Sequence, residues 1–154
     1  MASIKAIKIL DLRTFRGKKY PVNFQGIIYY NKSKLGFWTQ DVLGGSDFFD
    51  LNTKTLNQIA NEYYGNENRF NLDRLLSELV VLNLYERKFS NILKEGYVSI
   101  LVLKDDYEEL IIPSHTKDKE QVLSNNKEKI EKFNYQSVSK VKMFLFTDYK
   151  DFDL

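Results

Sequence analysis

The chain has 154 residues, 43% of them hydrophobic and 29% charged, with 23 basic and 21 acidic side chains. This length predicts a single domain over residues 1–154, since one core serves chains of up to roughly 250 residues, and a 14% share of aromatic residues excludes global disorder. Cysteine is absent and His115 is the only histidine, which excludes disulfides, thiolate zinc sites and thiol nucleophiles.

The N-terminal part of the chain predicts a meander of three antiparallel strands. Residues 3–15 alternate apolar and polar side chains, and a change of phase near Ile9 and Leu10 predicts a β-bulge. Residues 24–30 and 35–43 are rich in aromatic and β-branched side chains, and turn-forming residues precede each of them. This pattern is typical of strands.

A first helix is predicted after the glycine pair at 44–45, where the apolar period changes from two to about 3.6. Thr53 or Thr55 is expected to cap its N-terminus. Gly65 provides the left-handed residue that commonly ends a helix.

A second, longer helix is predicted to begin after Asn71 and to end at Gly96. Its leucines recur at helical spacing from Leu72 to Leu93, and further apolar residues widen the stripe beyond one face. Such a helix is either the central buried helix of the domain or half of a homodimer interface.

A hairpin and a final strand are predicted in the C-terminal part. Residues 97–103 and 107–112 form the hairpin around a polar turn at 104–106, and residues 138–146 alternate as a last strand. Between them, residues 114–132 are polar and predict a short exposed helix that is broken at the Asn125–Asn126 pair.

The order of elements is therefore predicted to be βββ-αα-ββ-α-β. Strands that occur in blocks, with connections too short for crossover helices, favour an α+β fold with a largely antiparallel sheet. We expect the helical pair to cover one face of this sheet.

The net charge of +2 conceals a segregation of charge along the chain. Residues 1–34 sum to +7 and residues 35–112 to −6. Segregated charge is informative about partners rather than about fold. The acidic part, from Asp41 to Glu86, is either a surface for a basic protein groove or an ordinary solvated surface.

Cationic and aromatic side chains are interleaved in the basic N-terminal part. Cations attract phosphate groups, and aromatic rings stack on unpaired bases. A candidate surface for a partner protein or a nucleic acid is therefore formed by Arg13, Arg16, Lys18, Lys19, Tyr20, Lys32, Lys34 and Trp38. The alternative is a solvated sheet face whose lysines point outward while the rings lie in the core.

No pattern of catalytic residues emerges from the sequence, and we expect no cofactor and no bound metal. A single histidine excludes sites built on two histidines, and no phosphate-binding glycine motif is present. Asp148 and Lys150 match half of a metal-dependent nuclease core, for which Asp105 or Asp106 would supply the second carboxylate. Four carboxylates around the predicted turn form an alternative cation site: Asp105, Asp106, Glu108 and Glu109.

Localisation and source follow from three weaker features. Residues 1–12 contain no apolar h-region and no apolar stretch is long enough to span a bilayer, so we expect a cytoplasmic protein without membrane contact. Residues with AT-rich codons, such as Lys, Asn and Ile, are frequent, whereas Ala, Arg and Pro are rare. This bias suits an AT-rich bacterium or a phage or mobile element within one.

Elimination of catalytic chemistry leads to the functional hypotheses. The first is a non-catalytic protein of a phage or mobile element that occupies a host protein or complex, for example as an inhibitor of a defence system. The alternative is a nucleic-acid-binding accessory protein that uses the basic-aromatic sheet to bind single-stranded DNA or RNA. A metal-dependent phosphodiesterase is the third hypothesis.

Overall fold

The computed structural model describes residues 1–95, 97–102, 109–136 and 143–154. The strands, in chain order, are β1 (Ile7–Phe15), β2 (Asn23–Tyr30), β3 (Ser33–Thr39), β4 (Phe48–Asp50), β5 (Tyr97–Val102), β6 (Glu109–Pro113) and β7 (Met143–Phe146). The helices are α1 (Lys54–Tyr64), α2 (Asn71–Ile92), α3 (Lys119–Asn125) and α4 (Lys127–Gln136), with 3₁₀ turns at Leu93–Glu95 and Tyr149–Phe152. This is the α+β class that the sequence predicts.

The strands form two antiparallel sheets. The first sheet has the order β1-β2-β3-β4 and the second has the order β6-β5-β7. The chain divides into two compact units, residues 1–84 with 153–154, and residues 85–152. The final strand therefore pairs with the later hairpin, and the prediction of one domain over the whole chain stays a prediction.

The first sheet contains the predicted meander. β1 pairs with β2 from Ile7 opposite Tyr30 to Phe15 opposite Asn23, and the register shifts between Leu10 and Arg13. This confirms the predicted bulge, and Asp11 has a left-handed φ of 50° there.

One face of the first sheet is buried. Ile9, Ile28 and Trp38 are at most 1% exposed and come from three neighbouring strands. Gly26 lies opposite Trp38 in the β2–β3 register. A Cβ on Gly26 would lie 2.5 Å from Cγ2 of Ile9 and 2.9 Å from the carbonyl oxygen of Leu10. The absent side chain thus permits the close packing at this position.

Helix α1 begins and ends close to the predicted residues, and α2 begins at the predicted position. Thr53 occupies the N-cap position of α1, but its side chain makes no capping hydrogen bond, so only the position of the predicted cap is met. Gly65 ends the helix with a φ of 71°. Asn71, the first residue of α2, is buried and donates from Nδ2 to Oδ1 of Asn61 at 2.8 Å and to the carbonyl oxygen of Asn66 at 2.8 Å. These bonds satisfy a buried amide and fix the connection between the helices.

Most of the leucine stripe of α2 is buried in the chain itself. The buried members include Leu72, Leu75, Leu76, Leu79 and Leu82. Leu84 is 38% exposed. The structure thus favours the core interpretation for these leucines, and a homodimer through this helix stays a prediction.

The second unit contains a hairpin-based sheet and the broken helix. β5 pairs with both β6 and β7. Ile112, Val122 and Ile130 form a buried cluster, and Phe146 stacks on Phe152 with ring centroids 4.1 Å apart. Helices α3 and α4 are separated at Asn126, next to the break that the asparagine pair predicts.

Several boundaries differ from the predictions or lie outside the described residues. β3 ends at Thr39 rather than at residue 43, and the short strand β4 was not predicted. The side chain of Gln40 accepts from the backbone N–H of Phe24 at 2.9 Å, where a longer ladder would continue. The α-helix α2 ends at Ile92, before the predicted end at Gly96. Gly96 itself, the predicted turn at 104–106 and the first part of the predicted last strand, 138–142, lie outside the described residues.

Two findings complete the description of the chain. Lys5 and Leu154 are joined by a backbone hydrogen bond of 2.7 Å, next to a parallel bridge between Ser3 and Asp153. No helix among the described residues is long and apolar enough to cross a membrane.

Candidate functional site

The eight predicted site residues lie at three places in the first unit. Arg13 is in β1, and Lys34 is in β3 with Lys32 in the turn before it. The loop between β1 and β2 carries Arg16, Lys18, Lys19 and Tyr20. All seven of these side chains are exposed, whereas Trp38 is 1% exposed.

Trp38 is a core residue and its ring is not accessible for stacking. Its Nε1–H donates to Oδ2 of Asp47 at 2.8 Å, which satisfies the one polar atom of the indole. Alternation along β3 is the reason, because Phe37 and Trp38 are neighbours and lie on opposite faces. The inclusion of Trp38 in the contact surface is therefore corrected: its neighbour Phe37 is the aromatic residue that β3 places outward.

The outward face of the first sheet is built from three cross-strand rows. Residues that pair directly across antiparallel strands lie on the same face. The rows, each given in strand order from β1 toward β4, are Arg13, Gln25, Thr39 and Phe48; Leu10, Ile27, Phe37 and Asp50; and Lys8, Tyr29 and Lys34. We refer to these eleven residues as the open face.

Aromatic and cationic side chains occur together on the open face. Tyr29 lies between Lys8 and Lys34 in one row, and Phe37 lies in the next row along the sheet. Neighbouring strands are about 4.8 Å apart, so the backbones of Lys8 and Lys34 are separated by about 10 Å across Tyr29. The face carries three cations and one carboxylate, Asp50.

The predicted residues do not form one continuous patch. β2 has eight residues, and Arg13 pairs near its N-terminal end whereas Lys34 pairs near its C-terminal end. At about 3.4 Å per residue the strand is roughly 24 Å long. Lys8, Tyr29 and Phe37, which were not among the predicted site residues, bridge the space between Arg13 and Lys34.

A second surface lies at the end of the sheet where the β1–β2 loop meets the loop after β3. The backbone N–H groups of Lys18 and Lys19 donate to the carbonyl oxygen of Val42 at 2.9 and 3.2 Å. Gly44 has a φ of 73°, and a Cβ there would lie 2.5 Å from Cδ of Lys19. The two loops, residues 16–22 and 40–47, are thus closely packed, and we call them the tip.

The tip exposes four large apolar side chains. Tyr20 is 49% exposed, Val22 52%, Val42 40% and Leu43 61%. The last three were not among the predicted site residues. Val42 and Leu43 were missed because residues 35–43 read as one continuous strand. An apolar pair immediately before two glycines is the signal that indicates a loop instead.

Beneath the tip lies a cleft of about 490 Å³ that contains three carboxylates. Asp41 accepts from the backbone N–H of Gly45 at 2.6 Å, Asp47 accepts from Trp38, and Asp73 comes from α2. Burial raises the pKa of Asp47, and the nearby charges of Asp73 and Asp41 raise it further, although the Trp38 hydrogen bond lowers it. Burial also raises the pKa of Asp73.

The residues proposed for catalysis or metal binding are not brought together in the part of the chain that the structure describes. Asp148 accepts from Nζ of Lys117 at 3.1 Å, and this bond lowers the pKa of Asp148. Asp105, Asp106 and Glu108 lie outside the described residues, whereas Glu109 is paired with Lys88. His115 is exposed. The described residues contain no group of three or more potential metal-binding side chains.

Comparisons with known proteins give no further guide to function. No protein-family model, no curated protein and no solved structure matches this chain. The open face and the tip are therefore interpreted on their geometry and chemistry alone.

Proposed function

We propose that this protein is a non-catalytic binding protein whose open face binds single-stranded nucleic acid. The observation that carries the proposal is the row in which Tyr29 lies between Lys8 and Lys34. A ring flanked by two cations fits an unpaired base and the phosphates on either side of it.

The chemistry of the remaining rows supports the same ligand. Phe37 offers a second ring in the adjacent row, and Arg13 continues the cationic side of the face along β1. Bases stack on aromatic rings regardless of sequence, so we expect little sequence preference. A duplex hides the faces of its bases, and for this reason a single strand is the better ligand.

Fluorescence anisotropy with labelled dT and rU oligonucleotides of about twelve nucleotides tests the proposal. We choose about 50 mM salt, because phosphate contacts are strongest at low salt. Three cations on the face predict that log K falls against log salt with a slope of about −2. The double variant Lys8→Gln/Lys34→Gln should weaken binding and flatten this slope toward about −0.7.

The double variant Lys127→Gln/Lys129→Gln is the matched control. It removes the same charge from exposed positions on α4, outside the first sheet. Equal losses in the two double variants would mean that total charge, and not the open face, determines binding. Absence of any anisotropy change with the unaltered protein at low salt would refute the proposal.

Occupation of a host protein, and an origin in a phage or mobile element, stay predictions from the sequence. The open face favours the nucleic acid over an acidic protein through one feature, the row in which the ring of Tyr29 lies between two cations at the spacing of neighbouring strands. An acidic protein surface would interact with the cations but would leave Tyr29 and Phe37 without a specific role.

A further inference from the structure

The tip combines features that the proposed nucleic-acid contact does not use. It exposes four apolar side chains on two loops that are hydrogen-bonded to each other. Loops of soluble proteins usually expose polar side chains, and a cluster of large exposed apolar residues with a polar rim is typical of an interaction site.

Charges of both signs surround these apolar side chains. Arg16, Lys18 and Lys19 lie in the first tip loop, whereas the carboxylates of Asp41, Asp47 and Asp73 line the cleft beneath it. None of the six forms an ion pair with another described residue. Lys19 instead lies over the ring of Tyr20, 5.3 Å from its centroid.

We propose that the tip is a self-association surface and that its occupant is the tip of a second copy of this chain. An interface with twofold symmetry requires one patch that carries both halves of every contact. The tip meets this requirement, since the cations of one copy can pair with the cleft carboxylates of the other while the apolar side chains pack between them.

Other partners complement only part of this surface. An acidic protein would pair with Arg16, Lys18 and Lys19 but would place like charge against Asp41 and Asp73. A basic protein would pair with the carboxylates but would place like charge against Arg16, Lys18 and Lys19. Only a surface with both signs beside an apolar centre complements the whole tip, and a second tip is such a surface.

Sedimentation velocity of the full chain, free of nucleic acid, tests the proposal from about 5 to about 500 μM. This range suits a weak, transient interface, the class expected for a contact centred on four apolar side chains. We expect the weight-average sedimentation coefficient of the unaltered protein to rise with concentration toward that of a dimer. A protein that stays monomeric over this range overturns the proposal.

Leu43→Asp places a charge at the most exposed apolar position of the tip, and it should raise the dimer dissociation constant at least about tenfold. Leu84→Asp is the matched control, because Leu84 is the exposed leucine of the long helix. If Leu84→Asp dissociates the dimer and Leu43→Asp does not, the helix is the interface and the tip proposal is wrong.

A charge exchange identifies the second copy as the occupant. Lys18→Glu and Asp73→Lys should each weaken the dimer, because each places like charges opposite one another in the homodimer. Mixing the two variants should restore association, since opposite charges then meet at both symmetry-related contacts. Failure of the mixture to associate more strongly than either variant overturns the assignment. Lys32→Glu, in the β2–β3 turn, controls for net charge and should leave the dimer unchanged.

The result of the sedimentation experiments does not depend on whether the open face binds nucleic acid. Oligonucleotide binding tests Lys8, Tyr29 and Lys34 on the open face, whereas sedimentation tests residues of the tip. Either proposal can therefore fail while the other survives.

Discussion

The two faces of the first sheet have different environments although they are built from alternate residues of the same strands. The inward face contains Ile9, Ile28 and Trp38, which are at most 1% exposed. The outward face places Tyr29 and Phe37, both aromatic, next to Lys8 and Lys34. The residue type alone therefore does not show whether an aromatic side chain in these strands lies in the core or on the surface. Its pairing register does.

Adjacent residues on opposite faces make this comparison testable. Burying one large apolar side chain stabilises a fold by roughly 1.5–3 kcal/mol, whereas a partly exposed side chain contributes less to folding and keeps part of its surface accessible to a ligand. Substitutions on the inward face should therefore change the free energy of unfolding, and substitutions on the outward face should change binding.

The largest effect is expected for Trp38→Ala. Removal of a fully buried indole leaves a cavity and costs about 3–5 kcal/mol of unfolding free energy. It also leaves Asp47 without its indole hydrogen bond. Phe37→Ala, the adjacent outward residue, should cost much less. Urea denaturation of both variants checks the difference, and similar losses would mean that the two faces are equally buried.

A smaller loss of stability is expected for Gly26→Ala. The added Cβ would lie 2.5 Å from Cγ2 of Ile9, so strands β1 and β2 would have to shift, and overpacking of this kind costs about 1–3 kcal/mol. Gln25→Ala, one residue earlier and on the open face, is the control. A Gly26→Ala variant as stable as the control in the same denaturation experiment would show that the sheet accommodates the methyl group.

Tyr29→Ala should change binding while leaving the fold nearly intact. Loss of one base-stacking ring costs about 1–3 kcal/mol of binding free energy, which corresponds to roughly 5- to 150-fold in affinity. Tyr29→Phe should retain affinity, because the ring is kept. Tyr30→Ala, on the opposite face, should leave the affinity for a dT oligonucleotide unchanged in the anisotropy assay. An equal loss in Tyr29→Ala and Tyr30→Ala would contradict the assignment of the open face.

The sequence predicts the elements of this fold better than it predicts the faces. Gly65 and the Asn125–Asn126 pair mark helix ends through local backbone chemistry, and both act at or next to the predicted positions. The order of the first three strands follows from periodicity in the same way. Such signals depend only on neighbouring residues, which is why they can be read without the fold.

The face of the sheet on which a side chain lies depends on pairing between residues that are distant in sequence. The bulge near Asp11 shifts β1 against β2, and a second irregularity shifts β2 against β3 after Ile28. A shift of one residue moves every following side chain to the other face. The sequence therefore places cations and rings together in the N-terminal part, but it does not distinguish Phe37 from Trp38.

The tip was harder to predict because its loops are distant in sequence. The hydrogen bonds from Lys18 and Lys19 to Val42 join segments more than twenty residues apart. The strand-like composition of residues 35–43 continues past Thr39, and it gives no sign that the Gln40 side chain replaces a ladder bond. The division of the strands into two sheets is similarly a matter of long-range pairing.

The smallest effect is expected at Asp47, which accepts the indole hydrogen bond of Trp38 on the inward face. Its pKa is raised by burial, so the folded protein binds this proton more readily than the unfolded chain does. The ionised carboxylate therefore costs stability at neutral pH, and this cost disappears as the pH falls through the raised pKa toward the ordinary value. Asp47→Asn removes the charge while its amide oxygen can still accept from Trp38.

We expect Asp47→Asn to be as stable as the unaltered protein at pH 7 or more stable by at most about 1 kcal/mol, because solvent screens a partly buried charge. The difference should shrink in acid, which urea denaturation of dilute protein between pH 7 and pH 4 can follow. Asp50→Asn removes a charge of the same sign from the open face and controls for the change in net charge. A variant that is clearly less stable than the parent at pH 7 would mean that the ionised carboxylate holds the indole more strongly than its burial costs, and the inward face would then depend on a charge as well as on packing.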